Sequence, residues 1–222
     1  CGFYFHPHKK KNMKKQKNKS ILYVVLPCRN EQETLLLTAS ILLPVLENLI
    51  VTKNLSHKSR ILFVDDGSTD HTWDIILQMG QQFPSIAGIS LRQNMGQQKA
   101  LFTGLMAVRR LCQVAVTMDA DLQDDPFILP AILDAWKQGF EIVDTIRSDR
   151  SCDSFSKQAG AWLFYRMMNL LCGQGCMEGD YRLLSSLALK KLSSYYGGPC
   201  VLRVLIPQLR LPAAAIPFVR QK

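Results

Sequence analysis

The chain has 222 residues, of which 47% are hydrophobic and 9% aromatic, enough for a sizeable core and too apolar for wholesale disorder. Its formal net charge is +9, from 27 Lys and Arg against 18 Asp and Glu, and that charge is unevenly placed. Residues 1–20 hold Lys9, Lys10, Lys11, Lys14, Lys15, Lys17 and Lys19 and no acid; subtracting these seven leaves 20 basic against 18 acidic side chains in the remaining 202 residues. The pattern predicts a near-neutral domain behind a basic leader and no nucleic-acid partner. Such a leader suits an anionic surface, membranes included, and equally a merely solubilising role.

Met13 opens a more natural start than Cys1, which makes residues 1–12 candidate upstream sequence, and no secretory signal follows the lysines. The seven cysteines are scattered. Only Cys172 and Cys176 are close, with no histidine near them, so the expectation is reduced thiols and no zinc site.

The first apolar run, 21–26, reads as a strand. It is followed by a helix over 31–52, whose segment 34–51 is apolar enough to test as a membrane span. Pro44, Glu47 and Asn48 interrupt that segment, and a charge near the centre of a spanning helix costs several kcal/mol, so a buried core helix is predicted. Strands follow at 60–64, 86–91, 114–118 and 141–146, alternating with helices at 71–83, 97–111 and 126–139. Asp70 and Thr72 offer caps for the helix over 71–83, and Pro126 suits the first position of the helix over 126–139. This alternation predicts an α/β fold, a mainly parallel sheet with helices on both faces and ligands at the carboxyl ends of its strands. Residues 154–172 form one long apolar and aromatic helical segment, read as a core helix, with an interfacial or groove-covering role as the alternative. A short strand at 181–184, a helix near 185–193 and a Pro-punctuated tail complete the chain.

Polar residues gather where the strands end. The first strand runs into Pro27-Cys28-Arg29-Asn30-Glu31, the second into Asp65-Asp66-Gly67-Ser68-Thr69-Asp70, and the fourth into Asp119-Ala120-Asp121-Leu122-Gln123-Asp124-Asp125. Asp66 alone would serve as a turn or helix cap. A turn starting at Asp119 brings Asp119 and Asp121 to one cation. With the amide oxygen of Gln123 they make a hard-oxygen set suited to Mg2+ or Mn2+, which usually also takes phosphate oxygens. No glycine-rich phosphate loop follows the first strand, which disfavours a dinucleotide oxidoreductase or a P-loop nucleotidase. An Asp-x-Asp phosphohydrolase would carry its pair on the first strand rather than the fourth.

The ordered set Pro-x-x-Asn-Glu (27–31), Asp-Asp-Gly-Ser-x-Asp-x-Thr (65–72), Asn-x-Gly-x-x-x-Ala-Leu (94–101), Met-Asp-Ala-Asp-Leu-Gln-Asp-Asp (118–125) and Asp-Tyr-Arg-Leu (180–183) resembles the family 2 glycosyltransferases of GT-A fold. Within them it is similar to the polyprenyl-phosphate glycosyltransferases, the group that includes dolichyl-phosphate mannose synthase and the bacterial undecaprenyl-phosphate glucosyltransferases. The resemblance covers about residues 20–220. It implies that Pro27, Arg29 and Glu31 line a nucleotide pocket, with Arg29 where many relatives have Tyr. It implies that Val64 and Asp66 meet base and ribose, and that Asp119, Ala120 and Asp121 flank ribose and diphosphate. Asp121, with Gln123 and Asp119, would hold Mg2+ or Mn2+, and Arg147 would lie near the phosphates. Asp180 would be the acceptor-side carboxylate and, with Asp121, catalytic; Arg203 would contact the acceptor phosphate.

The activity implied is an inverting transfer of a hexose from a nucleotide-diphosphate sugar, UDP-glucose first, to a polyprenyl phosphate at the cytoplasmic face of the membrane. The alternatives are a GT-A transferase acting on a non-lipid glycan and a non-catalytic nucleotide-binding remnant. The resemblance divides the chain into a leader (1–20) and a catalytic domain (21–222). Relatives continue into an Arg-x-x-Gly-Glu-Ser-Lys segment and often two membrane helices, and Val204 and Gln208 depart from their pattern, so a C-terminally shortened domain is expected.

Overall fold

Strand β1 (Leu22–Cys28) and strand β2 (Arg60–Asp65) are almost wholly apolar, as strands covered on both faces must be. Their side chains alternate between two cores. Leu22, Val24, Leu26, Ile61 and Phe63 enter one; Val25, Leu62 and Val64 enter the other. The structure, a computed structural model, describes residues 19–121, 123–147, 179–195, 197–198 and 201–218, with the side chains of Arg147 and Phe218 left aside. Most of the basic leader and the segment 154–172 lie outside these residues.

Five further strands complete the sheet: β3 (Ile86–Ser90), β4 (Val114–Thr117), β5 (Ile142–Arg147), β6 (Arg182–Ser185) and β7 (Ala213–Phe218). Their order is β3-β2-β1-β4-β6-β5-β7, and every pairing is parallel except those of β6, which runs against β4 and β5. The first core is covered by α1 (Leu35–Thr52), α2 (Thr72–Gln82) and α4 (Leu129–Lys137), which follows a 3-10 turn at Pro126–Ile128. The second is covered by α3 (Gln97–Val108), α5 (Ser186–Leu192) and α6 (Leu202–Gln208). The mainly parallel sheet with helices on both faces is thus present. The Pro-punctuated tail supplies α6 and the edge strand β7, to which the sequence reading assigned no element. Prolines 207 and 217 obscured that signal: Pro207 sits inside α6, where it removes one bond to the carbonyl of Arg203, and Pro217 sits near the end of an edge strand, where a missing N–H is tolerated.

α1 is long and apolar enough to cross a membrane, with 18 residues and a mean hydropathy of 1.9. Its buried face, Leu35, Thr38, Ala39, Leu42, Val45, Leu46, Leu49 and Ile50, packs into the first core, as the core-helix reading expected. On the other face α3 approaches the sheet at Gly104. A Cβ there would lie 2.6 Å from Val25 Cγ1 and 2.8 Å from Val64 Cγ2. Both neighbours are β-branched and stiff at χ1, so they yield poorly.

Gly104→Ala therefore gains about 1 kcal/mol of helix propensity against a steric penalty of similar size. Gly104→Val has no such gain. It should lose about 1–3 kcal/mol, equal to roughly 3–10 °C in a domain of this length. Thermal unfolding followed by circular dichroism measures this, and an unchanged midpoint would contradict the close packing.

Candidate active site

The sheet grows from β1 to β2 and β3 on one side, then returns to place β4 on the other. Ligands bind in the crevice outside the strand ends at such a reversal. The pairing of β1 with β4 ends at Val25 opposite Thr117, while its pairing with β2 continues to Cys28 opposite Asp65. Beyond Val25 the chains part, and a cavity of about 470 Å³ opens. Pro27, Cys28, Arg29 and Glu31 line it from the end of β1, Asp66 from β2, Asn94, Gly96 and Gln97 from the loop after β3, and Asp119, Ala120 and Asp121 from β4.

Each wall has a local cause. Asn30 takes φ 55°, a conformation Asn tolerates better than most residues. It donates its N–H to Ser68 Oγ (2.9 Å) and accepts the N–H of Thr69 at Oδ1 (2.9 Å), fastening the first strand end to the second. Glu31 donates its N–H to Thr72 Oγ1 at 2.8 Å and accepts the Thr34 hydroxyl at 2.6 Å, which aims its carboxylate. Asp65 accepts from the Ser68 N–H and the Ser90 hydroxyl and is structural. Asp66, 3% exposed, accepts the backbone N–H groups of Met95 (2.7 Å) and Gly96 (2.8 Å). Gly67, at φ 65°, lets the two loops touch: a Cβ there would sit 2.6 Å from the Gln93 carbonyl carbon.

β4 ends at Thr117, and the chain turns through Ala120 and Asp121. Thr38 of α1 donates its hydroxyl to Ala120 O at 2.7 Å, Asp124 accepts the Asp119 N–H at 3.0 Å, and Asp121 Oδ1 accepts the Gln123 N–H at 3.1 Å. The turn brings both Asp119 and Asp121 to the cavity, the arrangement the sequence required of a shared cation. Among the described residues no group of three or more His, Cys, Asp or Glu forms a ready-made metal centre. Two carboxylates suit a hard divalent ion that takes its remaining ligands from substrate phosphates and water.

Two expected positions need correction. Val64 is fully buried in the second core against α3, because the alternation that sends Phe63 to one face sends Val64 to the other; its side chain does not reach the cavity. Gln123 is exposed and does not line the cavity, since the turn commits its backbone to Asp121. Arg147 ends β5, and its side chain lies outside the described residues. The sequence-derived site set lacked Cys28, Asn94, Gly96 and Gln97, the last three within the Asn-x-Gly signal that was visible but given no role.

Asp180 precedes β6. Because β6 runs antiparallel, its beginning lies beside the end of β4, with Arg182 opposite Thr117. The Thr117 hydroxyl donates to Asp180 O. The carboxylate, 7% exposed, accepts from Arg203 Nε (3.1 Å) and Nη2 (2.9 Å) and from Gln98 Nε2 (2.8 Å). Burial pushes its pKa up, but the bonds from Arg203 and Gln98 and the charges of Arg203 and Arg182 outweigh it and hold the group below its ordinary range. Behind it Arg182 lies 3.4 Å from Asp144, both buried; burial raises Asp144 and the Arg182 charge opposes this.

Cys28 lines the cavity with a thiol pushed well up, first by burial and then by Asp65, Glu31, Asp70 and Asp66. Burial likewise raises Cys112 to about 12. Neither is a nucleophile near neutral pH, because the reactive species is the thiolate. Alkylation at pH 8, mapped by peptide mass spectrometry, should leave both unmodified in the native protein and label both after unfolding. Rapid native labelling of Cys28 would contradict this environment.

Comparison with known proteins agrees with this geometry. The family model described as Glycosyl transferase family 2 matches residues 23–192. The chain is 34% identical over 208 residues to the uncharacterized glycosyltransferase YkoT of Bacillus subtilis, covering 93% of this chain and 62% of that protein. It is 32% identical over 158 residues to the prophage bactoprenol glucosyl transferase homolog of Escherichia coli, covering 64% of this chain and 51% of that protein. The chain thus spans between about half and three fifths of these relatives. Its fold matches that of glucosyl-3-phosphoglycerate synthase from Mycobacterium tuberculosis, solved with Mn2+, UDP and glucosyl-3-phosphoglycerate. That match has a TM-score of 0.59 at 17% identity, covering 91% of this chain and 71% of the other, and marks the sheet as a GT-A fold. The chain belongs to glycosyl transferase family 2.

Proposed function

We propose that this chain transfers a hexose from UDP-glucose to a polyprenyl phosphate, with inversion at the anomeric carbon, at the cytoplasmic face of the membrane. The observation that carries the reading is the pairing of an acidic cavity at the β1/β4 crevice with a guanidinium-clamped carboxylate, Asp180, at the same sheet edge. The bactoprenol name of a relative and the UDP and Mn2+ held by a structural neighbour support the two substrates.

The cavity presents Glu31, Asp66, Asp119 and Asp121 and the exposed Arg29. A diphosphate entering among these carboxylates needs a cation beside it. Asp119 and Asp121 would hold Mg2+ or Mn2+, which when bound supplies charge stabilisation to the departing nucleoside diphosphate. The α3 N-terminus, opened by Gly96 at φ 88°, adds the positive end of a helix dipole to the same wall. Pro27 and the Glu31 carboxylate border the nucleoside, with Arg29 as a planar cation against it.

Asp180 separates a phosphate acceptor from a hydroxyl acceptor. A sugar hydroxyl needs a general base, and a carboxylate whose pKa is lowered and whose oxygens are bonded to Arg203 and Gln98 is a weak one. A phosphate monoester, with a second pKa of about 6, is already ionised near neutral pH. Asp180 therefore orients Arg203 toward the acceptor rather than removing a proton. An oxygen of the lipid phosphate forms the new bond to the anomeric carbon, and the bond to the nucleoside diphosphate breaks.

The test is lipid-phosphate-dependent release of UDP from UDP-glucose in the presence of Mn2+. Asp121→Ala should reduce it by about 100-fold or more, roughly 2.7 kcal/mol of transition-state stabilisation, and should abolish thermal stabilisation by UDP with Mn2+. Undiminished turnover in that variant would overturn the assignment.

A further inference from the structure

Two adjacent glutamines at the start of α3 reach opposite sides of the site. Gln97 donates its Nε2 to Asp119 Oδ1 at 2.7 Å. Gln98 donates its Nε2 to Asp180 Oδ2 at 2.8 Å and accepts the backbone N–H of Leu202, the first residue of α6, at Oε1 (3.1 Å). The chemistry of the partners fixes this amide's orientation, since a carboxylate accepts only and a backbone N–H donates only. Glu at position 98 would satisfy Leu202 and repel Asp180. Lys would satisfy Asp180 and leave the Leu202 N–H without an acceptor. Of the side chains long enough to span the gap, the amide of Gln meets both.

We propose that Gln98 is a positioning residue for the transfer: it holds Asp180 and the start of α6, hence Arg203, in one arrangement, and through its neighbour Gln97 ties that arrangement to Asp119 on the donor side. The proposal rests on the glycosyl-transfer reading above. Arg203 follows Leu202 directly, so the bond that fixes the α6 backbone sets where its guanidinium starts, and the two Arg203 bonds to Asp180 complete a closed ring of contacts. Gln98 leaves the cavity wall to Gln97 and acts on the acceptor through other groups.

The ring has a titration signature. Among the described residues the groups facing Asp180 are Gln98 from α3, Arg203 from α6 and Arg182 from β6, with Asp144 of β5 behind Arg182. Asp180 works ionised, and its lowered pKa keeps it so as pH falls. Removing the Gln98 donor raises that pKa, so the Asp180 titration moves to higher pH. Gln98→Glu, isosteric and repelling, moves it further than Gln98→Ala.

The experiment compares the wild-type chain with Q98A and Q98E in lipid-phosphate-dependent UDP release, UDP binding, thermal unfolding and carboxyl carbon NMR, with Asp180 assigned through Asp180→Asn. Q98E should raise the acceptor KM or lower kcat by about tenfold, and move the Asp180 titration up by about one pH unit, a tenfold change in equilibrium. UDP affinity should stay within about threefold, well under the 1.4 kcal/mol of a tenfold change. Activity that falls only in step with melting temperature, with the Asp180 titration unmoved, makes Gln98 purely structural and overturns the proposal. A wild-type chain that titrates as expected but transfers no sugar overturns the transfer reading instead, and the NMR shift then decides on Gln98 alone.

Discussion

The loop between β3 and α3 is the constraint on which the site depends. Arg92 to Gln97 are exposed and contribute little to either core, so burial alone does not fix them. What fixes them is the Asp66 carboxylate accepting two consecutive N–H groups, Met95 and Gly96. Hydrogen bonds to a charged group are worth about 1.5–3 kcal/mol each, against about 1 for a neutral pair. Gly67 permits the contact, because any side chain there would strike the backbone at Gln93. With the loop held, α3 starts where Gln97 meets Asp119 and Gln98 meets Asp180. Three carboxylates, Asp66 and Asp119 after strands and Asp180 before one, are thereby referenced to one four-residue stretch, Met95 to Gln98.

The electrostatics of the cleft follow from how each carboxylate is compensated. Asp66 is the most buried and has its charge absorbed by amides, which makes it scaffolding that also borders the cavity. Asp180 is compensated by a guanidinium and by Gln98, so its charge is satisfied within the protein. Asp119 and Asp121 stand at the lip in front of an acidic wall that offers Arg29 as its cation. Asp66 and Asp180 thus organise protein, while Asp119 and Asp121 stand with Glu31 on the cavity wall. A diphosphate is compatible with such a wall only when a cation accompanies it, which is why the hard-oxygen character of the Asp-Ala-Asp turn matters more than its exact spacing.

Much of this was legible in the residues. Strands buried on both faces announce themselves as short Val- and Ile-rich runs, and the first five strands in chain order, β1 to β5, were all readable. The convergence of 27–31, 65–70 and 119–125 followed from strand ends alone. Val64 was misplaced because motif proximity to Asp66 says nothing about which face of the strand a side chain takes; the alternation of Ile61 to Val64 carries that information. Gln123 is exposed outside the cavity wall, and its backbone N–H bond to Asp121 is a turn contact that composition does not reveal. The clasp of Thr38 on Ala120 and the reach of Gln98 to Asp180 span 82 positions of sequence each, and no local pattern encodes such contacts. α6 and β7 were hidden by Pro207, which sits inside a short helix, and by Pro217, which its edge strand renders harmless.

The reversal of β6 explains why Asp180 belongs to the site at all. In a wholly parallel sheet the residue just before a strand lies at the edge opposite the ligands, and Asp180 would stand a strand length from Asp119. Running β6 against β4 exchanges its ends and brings Asp180 to the end of β4, where the Thr117 hydroxyl receives it. Under the proposed function the reversal would also separate the two substrates by chain segment. The donor would meet loops after β1 to β4, and the acceptor the start of β6 and α6. Substitutions in the second group would then alter the acceptor without disturbing the bonds of Asp66, and α3 contacts both groups through Gln97 and Gln98.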